Sequence, residues 1–233
     1  MRRALLLVAL VGVASVLVPS AASATRECDG HQVCVPIAGP WVVVSTSSSA
    51  ERPAVEYQLT CPRGYVVGGL DAELSHRAID LAFLGLLGSP VNPGISTTRS
   101  VVFRASFVGR GASVASFRPR AGCIPAAGAG TRIPTAASVF PPGQPAIRRV
   151  RTVRVRPGTA TVAQACRAGE RLVGASHAVG FERRRPPSAS LARTVSASLS
   201  IRGNRVVVVV RADAELGGVR ALVQVHALCE VRR

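Results

Sequence analysis

The chain contains no lysine, and all 29 of its basic residues are arginine. Aromatic residues make up only 4%, with one tryptophan and two tyrosines. Each gap removes a class of function. Without a GxxxxGK sequence there is no phosphate-cradling P-loop, and Gly109-Arg110-Gly111 is only a turn. Without CxxC or a His/Cys cluster there is no metal-ligand pattern, and no cofactor motif takes its place. Without GxSxG there is no nucleophile elbow. After Phe140 and Phe181 the second half has no aromatic residue for stacking bases, which argues against nucleic acid as a dedicated partner. Past the first 24 residues no apolar run reaches 18; the nearest, Ala78 to Gly88, is short and carries Asp80, so no membrane span is expected. Acids are scarce in one half only. Residues 25–125 hold 9 arginines and 7 acids, net +2, whereas residues 126–233 hold 18 arginines and 5 acids, net +13. A GC-rich genome accounts for arginine in place of lysine, but not for this asymmetry.

What is present begins with an export address. Arg2 and Arg3 form a basic start, Ala4 to Val18 an apolar run, and Ala22-Ser23-Ala24 a small-residue cleavage site, so residues 1–24 are expected to be a signal peptide and Thr25 the mature start. Cys28 lies three residues inside that start and does not offer a lipoprotein site. The expected location is secreted or extracellular.

Six cysteines, all after residue 24, read as disulfides in an exported chain. Six allow about 15 pairings. An internal repeat chooses among them. Cys61, Gly64 and Gly69 recur with the same spacing as Cys166, Gly169 and Gly174. Each leading cysteine has a later companion, Cys123 and Cys229, and equal positions should pair equally. The expectation is Cys61–Cys123, Cys166–Cys229 and, for the remaining two, Cys28–Cys34. Val101-Val102-Phe103 and Val207-Val208-Val209 stand equally far before Cys123 and Cys229, which extends the match.

Between these points the chain reads as short strands. Val55, Tyr57 and Leu59 alternate with polar neighbours, and Val195, Ala197, Leu199 and Ile201 alternate with serines. Arg202-Gly203-Asn204-Arg205 reads as a hairpin turn before the buried strand Val206 to Val210. Gly68 and Gly69 mark a bulge or a close backbone approach. Ile79 to Leu87 fits a short helix or a buried strand. On the closing strand Val223, Val225, Ala227 and Cys229 share one face, and Leu222, Gln224, His226 and Leu228 the other. No amphipathic helix of about 10 residues separates the strands, which favours an antiparallel sandwich over an α/β layout, with a single closed β barrel as the alternative. The fold class is all-β: two tandem antiparallel β-sandwich-like domains, each closed by a disulfide. The first spans 25–123, a Pro/Gly/Ala-rich linker 124–147, and the second, basic domain 148–233.

The stretch Cys61-Pro62-Arg63-Gly64-Tyr65-Val66-Val67-Gly68-Gly69 resembles a recurrent Cys-Pro-x-Gly-x-x-Val-x-Gly motif of small secreted β domains from actinomycete-type bacteria. The resemblance covers nine residues. The second copy departs from it, with Arg167 in place of proline and Ala175 after the glycine. It implies an exported β domain and transfers no functional residue.

Candidate chemistry is sparse. His31, His76, His177 and His226 are the four histidines. Ser176 and His177 are adjacent on a strand and so point to opposite faces. The pairs Asp71/Glu73 and Asp213/Glu215, at i,i+2, could serve acid–base or Ca²⁺ chemistry, but an ordinary solvated face is the simpler reading. The arginines carry the largest signal: Arg148, Arg149, Arg151, Arg154 and Arg156 crowd one segment, and Arg183, Arg184 and Arg185 precede two prolines. Guanidinium forks suit phosphate, sulfate and carboxylate. The expectation is a non-enzymatic exported protein whose second domain docks on anionic cell-wall polymer or an anionic lipid surface. A secreted hydrolase using His177 or Asp71/Glu73, and a purely structural surface protein, are the alternatives.

Overall fold

The structure is a computed structural model that describes residues 26–46, 53–85, 99–126 and 146–231. The expected signal peptide and most of the expected linker, residues 127–145, lie outside the described residues. The first half supplies β1 (Val35–Ala38), β2 (Trp41–Val44), β3 (Val55–Thr60), β4 (Tyr65–Leu74), β5 (Ile79–Leu84), β6 (Ser100–Phe107) and β7 (Ala115–Pro125). The second supplies β8 (Ala146–Val155), β9 (Gly158–Ala165), β10 (Glu170–Glu182), the single turn of helix α1 (Ala189–Arg193), β11 (Val195–Arg202), β12 (Arg205–Ala212) and β13 (Arg220–Val231).

The fold is all-β and antiparallel, as expected. In the first half β3-β6-β5 form one sheet, while β7 pairs with β4 on one side and with β1 and β2 on the other. In the second half β9-β12-β11 form one sheet, while β13 pairs with β10 and β8. The pairing order is the same in both halves, with β8 in the place of β1 and β2. Each sandwich has its own core. Phe103, Phe107 and Phe117 centre the first; Phe181, Val208 and Val223 centre the second. Ile79 to Leu84 resolves as a strand, because β5 must pair along β6 to complete the outer sheet.

The disulfides are Cys28–Cys34, Cys61–Cys123 and Cys166–Cys229, as expected. The repeated glycines have backbone reasons. Gly64 and Gly169 both take φ +80°, in turns closed by Tyr65 N–H to Pro62 O and Glu170 N–H to Arg167 O. Both halves then carry a register shift at the same place, between Val67 and Gly69 and between Leu172 and Gly174. A Cβ on Gly69 or Gly122 would collide with the Glu27 carbonyl, so the N-terminal disulfide loop lies directly on β4 and β7. Gly68 is therefore the bulged residue and Gly69 the close approach.

One expected equivalence shifts by a residue. Thr60 faces Ser100 and Ala165 faces Arg205, so Val101 corresponds to Val206 rather than to Val207. Core burial agrees, with Val101 and Phe103 matching Val206 and Val208. Counting back from the second cysteine overlooks one extra residue between β12 and β13, and in a strand that residue reverses the face.

The two sandwiches share a sheet. Gly180 faces Val42 and Phe181 faces Trp41, so β2 and β10 join both halves into the seven-stranded sheet. A Cβ on Gly180 would meet Pro40 Cγ at 2.6 Å, so the join depends on a glycine under a proline ring.

Candidate functional site

The second face of β13 carries Leu222, Gln224, His226 and Leu228, and it is not a solvent face. Gln224 and His226 are buried at 3% and 1% exposure, because the edge of β3 lies on them. Edge-strand residue Gln58 has an outward N–H and C=O, and the Gln224 amide takes both: Gln58 N–H donates to Gln224 Oε1 at 2.6 Å, and Gln224 Nε2 donates to Gln58 O at 3.2 Å. Gln224 Nε2 also donates to Thr152 Oγ1 at 3.1 Å on β8.

The same seam holds a charged cluster. Arg148 Nη1 lies 2.5 Å from Glu56 Oε2 and 3.0 Å from His226 Nδ1. An arginine can only donate, so Nδ1 is the acceptor and the proton sits on Nε2, which donates to Gln224 Oε1 at 2.8 Å. Burial, then the Arg148 charge, pushes His226 down to about 3, so it is neutral at physiological pH. Burial alone would raise the Glu56 carboxyl, but hydrogen bonding and charge from Arg148, with the Ser176 hydroxyl at 3.1 Å, hold it below the usual range. A cavity of about 250 Å³ adjoins Glu56, Arg148, Ser176 and His226. Ser176 and His226 face each other across β10 and β13. Yet the serine hydroxyl is bonded to a carboxylate, and both imidazole nitrogens are engaged. This is a structural joint.

The other candidate acids and histidines are similarly occupied. Glu73 pairs with Arg120 at 2.5 Å, and Asp71 accepts from the Arg26 and Ala72 amides. His177 points away from Ser176, beside the Ala197 backbone, and burial lowers its pKa. His31 bonds Gly68 O, and His76 packs edge-on against Phe107. Asp213 and Glu215 are exposed beside the 3-10 turn Ala214–Leu216. Cys166, Glu170 and Cys229 lie within metal-ligand distance of one another. The two sulfurs are bonded to each other, however, and Arg149 with the Arg167 amide holds Glu170 down to about 2.

The expected arginines divide into two groups. Arg148 and Arg149 are spent on Glu56 and Glu170. Arg151 donates to Ala163 O at 3.2 Å. Period two along β8 puts Arg149 and Arg151 on the side of Val153 and Val155, which pack on the second core, and Arg148 and Arg154 on the other. The segment is therefore not one stripe. Arg154, Arg156, Arg183, Arg184 and Arg185 are exposed and have no carboxylate partner among the described residues.

Register brings these five together. Arg154 faces Leu222 on β13, and Leu222 faces Gly180 on β10. β8 and β10 run parallel two strands apart, about 10 Å. Their ends, with Arg156 after one and Arg183 to Arg185 after the other, finish at the same end of the sheet. Arg220, 66% exposed, lies between them at 3.8 Å from Glu182. At this end a cleft of about 440 Å³ opens between the halves. Its floor includes Pro40, Tyr57 and Leu222, and its rim Arg118, Arg183, Arg184 and Glu182. Arg118 donates to Gly39 O at 3.2 Å and approaches Glu73 at 3.6 Å. Burial and Glu182 push the Tyr57 hydroxyl up to about 12. Arg118, Arg220, Tyr57 and Leu222 were missed in the sequence, where nothing in their own neighbourhoods distinguishes them from ordinary strand residues.

No helix among the described residues is long and apolar enough to cross a membrane. Compared with models of protein families, with curated proteins and with solved structures, the chain matches none of them.

Proposed function

We propose that the protein is exported, is built from two copies of one disulfide-closed unit, and acts without catalysis by docking on anionic polymer of the cell envelope. The carrying observation is the convergence of Arg154, Arg156, Arg183, Arg184 and Arg185 on one end of the second sandwich, clear of carboxylate partners among the described residues. Arg148 and Arg149 serve folding and leave the docking set. The surface charge attracts any polyanion, and multiple guanidinium contacts make the affinity steeply salt-dependent. Of the groups that a hydrolase would use, His177 is bonded to the Ala197 backbone, Asp71 to two backbone amides and Glu73 to Arg120, while Ser176 is bonded to Glu56 and His226 to Arg148, which supports a binding role over the hydrolase.

The test is sedimentation of the purified chain, starting at Thr25, with cell wall, DNA and polyglutamate at low salt and at about 0.15 M. A variant with serine at 154, 156, 183, 184 and 185 runs beside it. The expected result is wall binding that persists at the higher salt and is lost in the variant. Equal weak binding to every polymer, abolished by salt, refutes the proposal and leaves a structural surface protein.

A further inference from the structure

The cleft between the halves differs from the rest of the arginine-rich end in having an apolar floor. Surface arginines alone need no cavity to meet a polyanion. Here Arg183 and Arg184, just after β10, line one cleft with Pro40, just before β2, Tyr57 of β3 and Leu222 of β13. Tyr57 is only 6% exposed, and its hydroxyl makes no hydrogen bond among the described residues. It lies within electrostatic reach of Glu182 and stays protonated at physiological pH, so it can only serve an incoming group as donor or weak acceptor. Arg118 keeps guanidinium donors beyond those given to Gly39 O and Glu73. The rim carries three guanidiniums against one carboxylate, Glu182, which Arg220 approaches at 3.8 Å, so it is net cationic. Such a rim and one idle hydroxyl over aliphatic and aromatic surface are complementary to an oxyanion carried on an aliphatic stem, rather than to a bare anion or a bare hydrocarbon.

We infer that this cleft is a binding site for a phosphodiester on a short aliphatic stem, with the oxyanion on Arg183, Arg184 and Tyr57 and the stem over Pro40 and Leu222. The inference rests on the docking proposal and names the chemical group that the docked material presents. That group occurs both in glycerol-phosphate polymers and in phosphatidylglycerol headgroups.

The test is an NMR titration of the purified chain with dibutyl phosphate, inorganic phosphate and 1-butanol. Dibutyl phosphate is expected to shift Tyr57 and Leu222 resonances and to bind about tenfold more tightly than inorganic phosphate, the gain from burying about two methylenes. Leu222→Trp fills the cleft and keeps every charge; it should abolish the tighter binding. Tyr57→Phe, a milder change, should weaken it several-fold while the fold is retained. Soluble polyglycerol phosphate and phosphatidylglycerol vesicles are then used as competitors, and displacement of dibutyl phosphate by one of them identifies the source. Equal affinity for the two phosphates, or shifts spread over exposed arginines without Tyr57 and Leu222, overturns the inference, as does failure of both competitors. The two proposals fail separately. If Leu222→Trp binds wall as well as the parent while the five-serine variant does not, docking stands and the cleft falls. If no wall binds but dibutyl phosphate still moves Tyr57 and Leu222 and a competitor displaces it, the cleft stands and wall docking falls.

Discussion

Acid should loosen the joint between the halves through His226, well before the carboxylates titrate. The folded protein holds His226 neutral, with its pKa near 3 against an ordinary 6.5, first because it is buried and second because Arg148 faces it. The groups around it are Arg148 on β8, Glu56 on β3, and Ser176 and His177 on β10; only Glu56 favours the imidazolium, and it is already committed to Arg148. A protonated Nδ1 would also point a donor at the Arg148 donor, now at 3.0 Å. Below pH 6.5 the unfolded chain takes up a proton that the folded chain refuses. Stability is therefore full above the unfolded value and falls as pH drops toward 3. At 1.36 kcal/mol per pH unit below 6.5, the loss from His226 between pH 7.5 and 4.5 is about 2.7 kcal/mol. His177, also depressed by burial, adds a loss of the same sign. The assay is urea unfolding at pH 7.5, 6.5, 5.5 and 4.5, with His226→Gln in parallel. Glutamine keeps a donor and an acceptor but does not titrate, so its curve should be flatter by about the His226 amount over that interval. Identical slopes for the two proteins would refute the reasoning and place His226 in contact with water.

Two further changes probe the same joint. Arg148→Met strands the Glu56 carboxylate in a partly buried site, where removal of one partner costs on the order of 3 kcal/mol. Combining it with Glu56→Gln should restore part of that loss, and a double-mutant cycle in urea showing simple additivity would sink the pairing. Gly180→Ala drives a methyl group into the Pro40 ring, 2.6 Å away. The expected outcome is loss of about 1–3 kcal/mol, as for overpacking, with faster amide exchange confined to Val42, Trp41 and their β10 partners; unchanged exchange there would contradict the β2–β10 join.

The disulfides, the antiparallel class and the hairpin at Arg202–Arg205 follow from local and repetitive information. A glycine at positive φ or a cysteine at fixed spacing constrains the backbone near itself, so Gly64, Gly169, Cys61 and Cys166 could be read from the chain alone. Register between the copies could not be fixed that way, since one added residue before β13 moves Val207 off the face that Val101 occupies. The arginines show the same limit. On the same face of β8, Arg148 and Arg154 have opposite fates, because Arg148 meets Glu56 across the seam and Arg154 meets no carboxylate among the described residues.

The strands, their closure into two disulfide-bonded units, and the excess of positive charge in the second are all written in the order of residues along the chain. Folding in three dimensions was needed to settle which charges are spent on strand contacts, which gather at one end, and that Pro40, Tyr57 and Leu222 share a cleft with Arg183 and Arg184. Charge and periodicity are properties of neighbours along the chain. Neutralisation and concavity are properties of neighbours in space, and the docking of β3 onto β13 brings those neighbours together from more than 160 residues apart, as in the Gln58–Gln224 pair separated by 166.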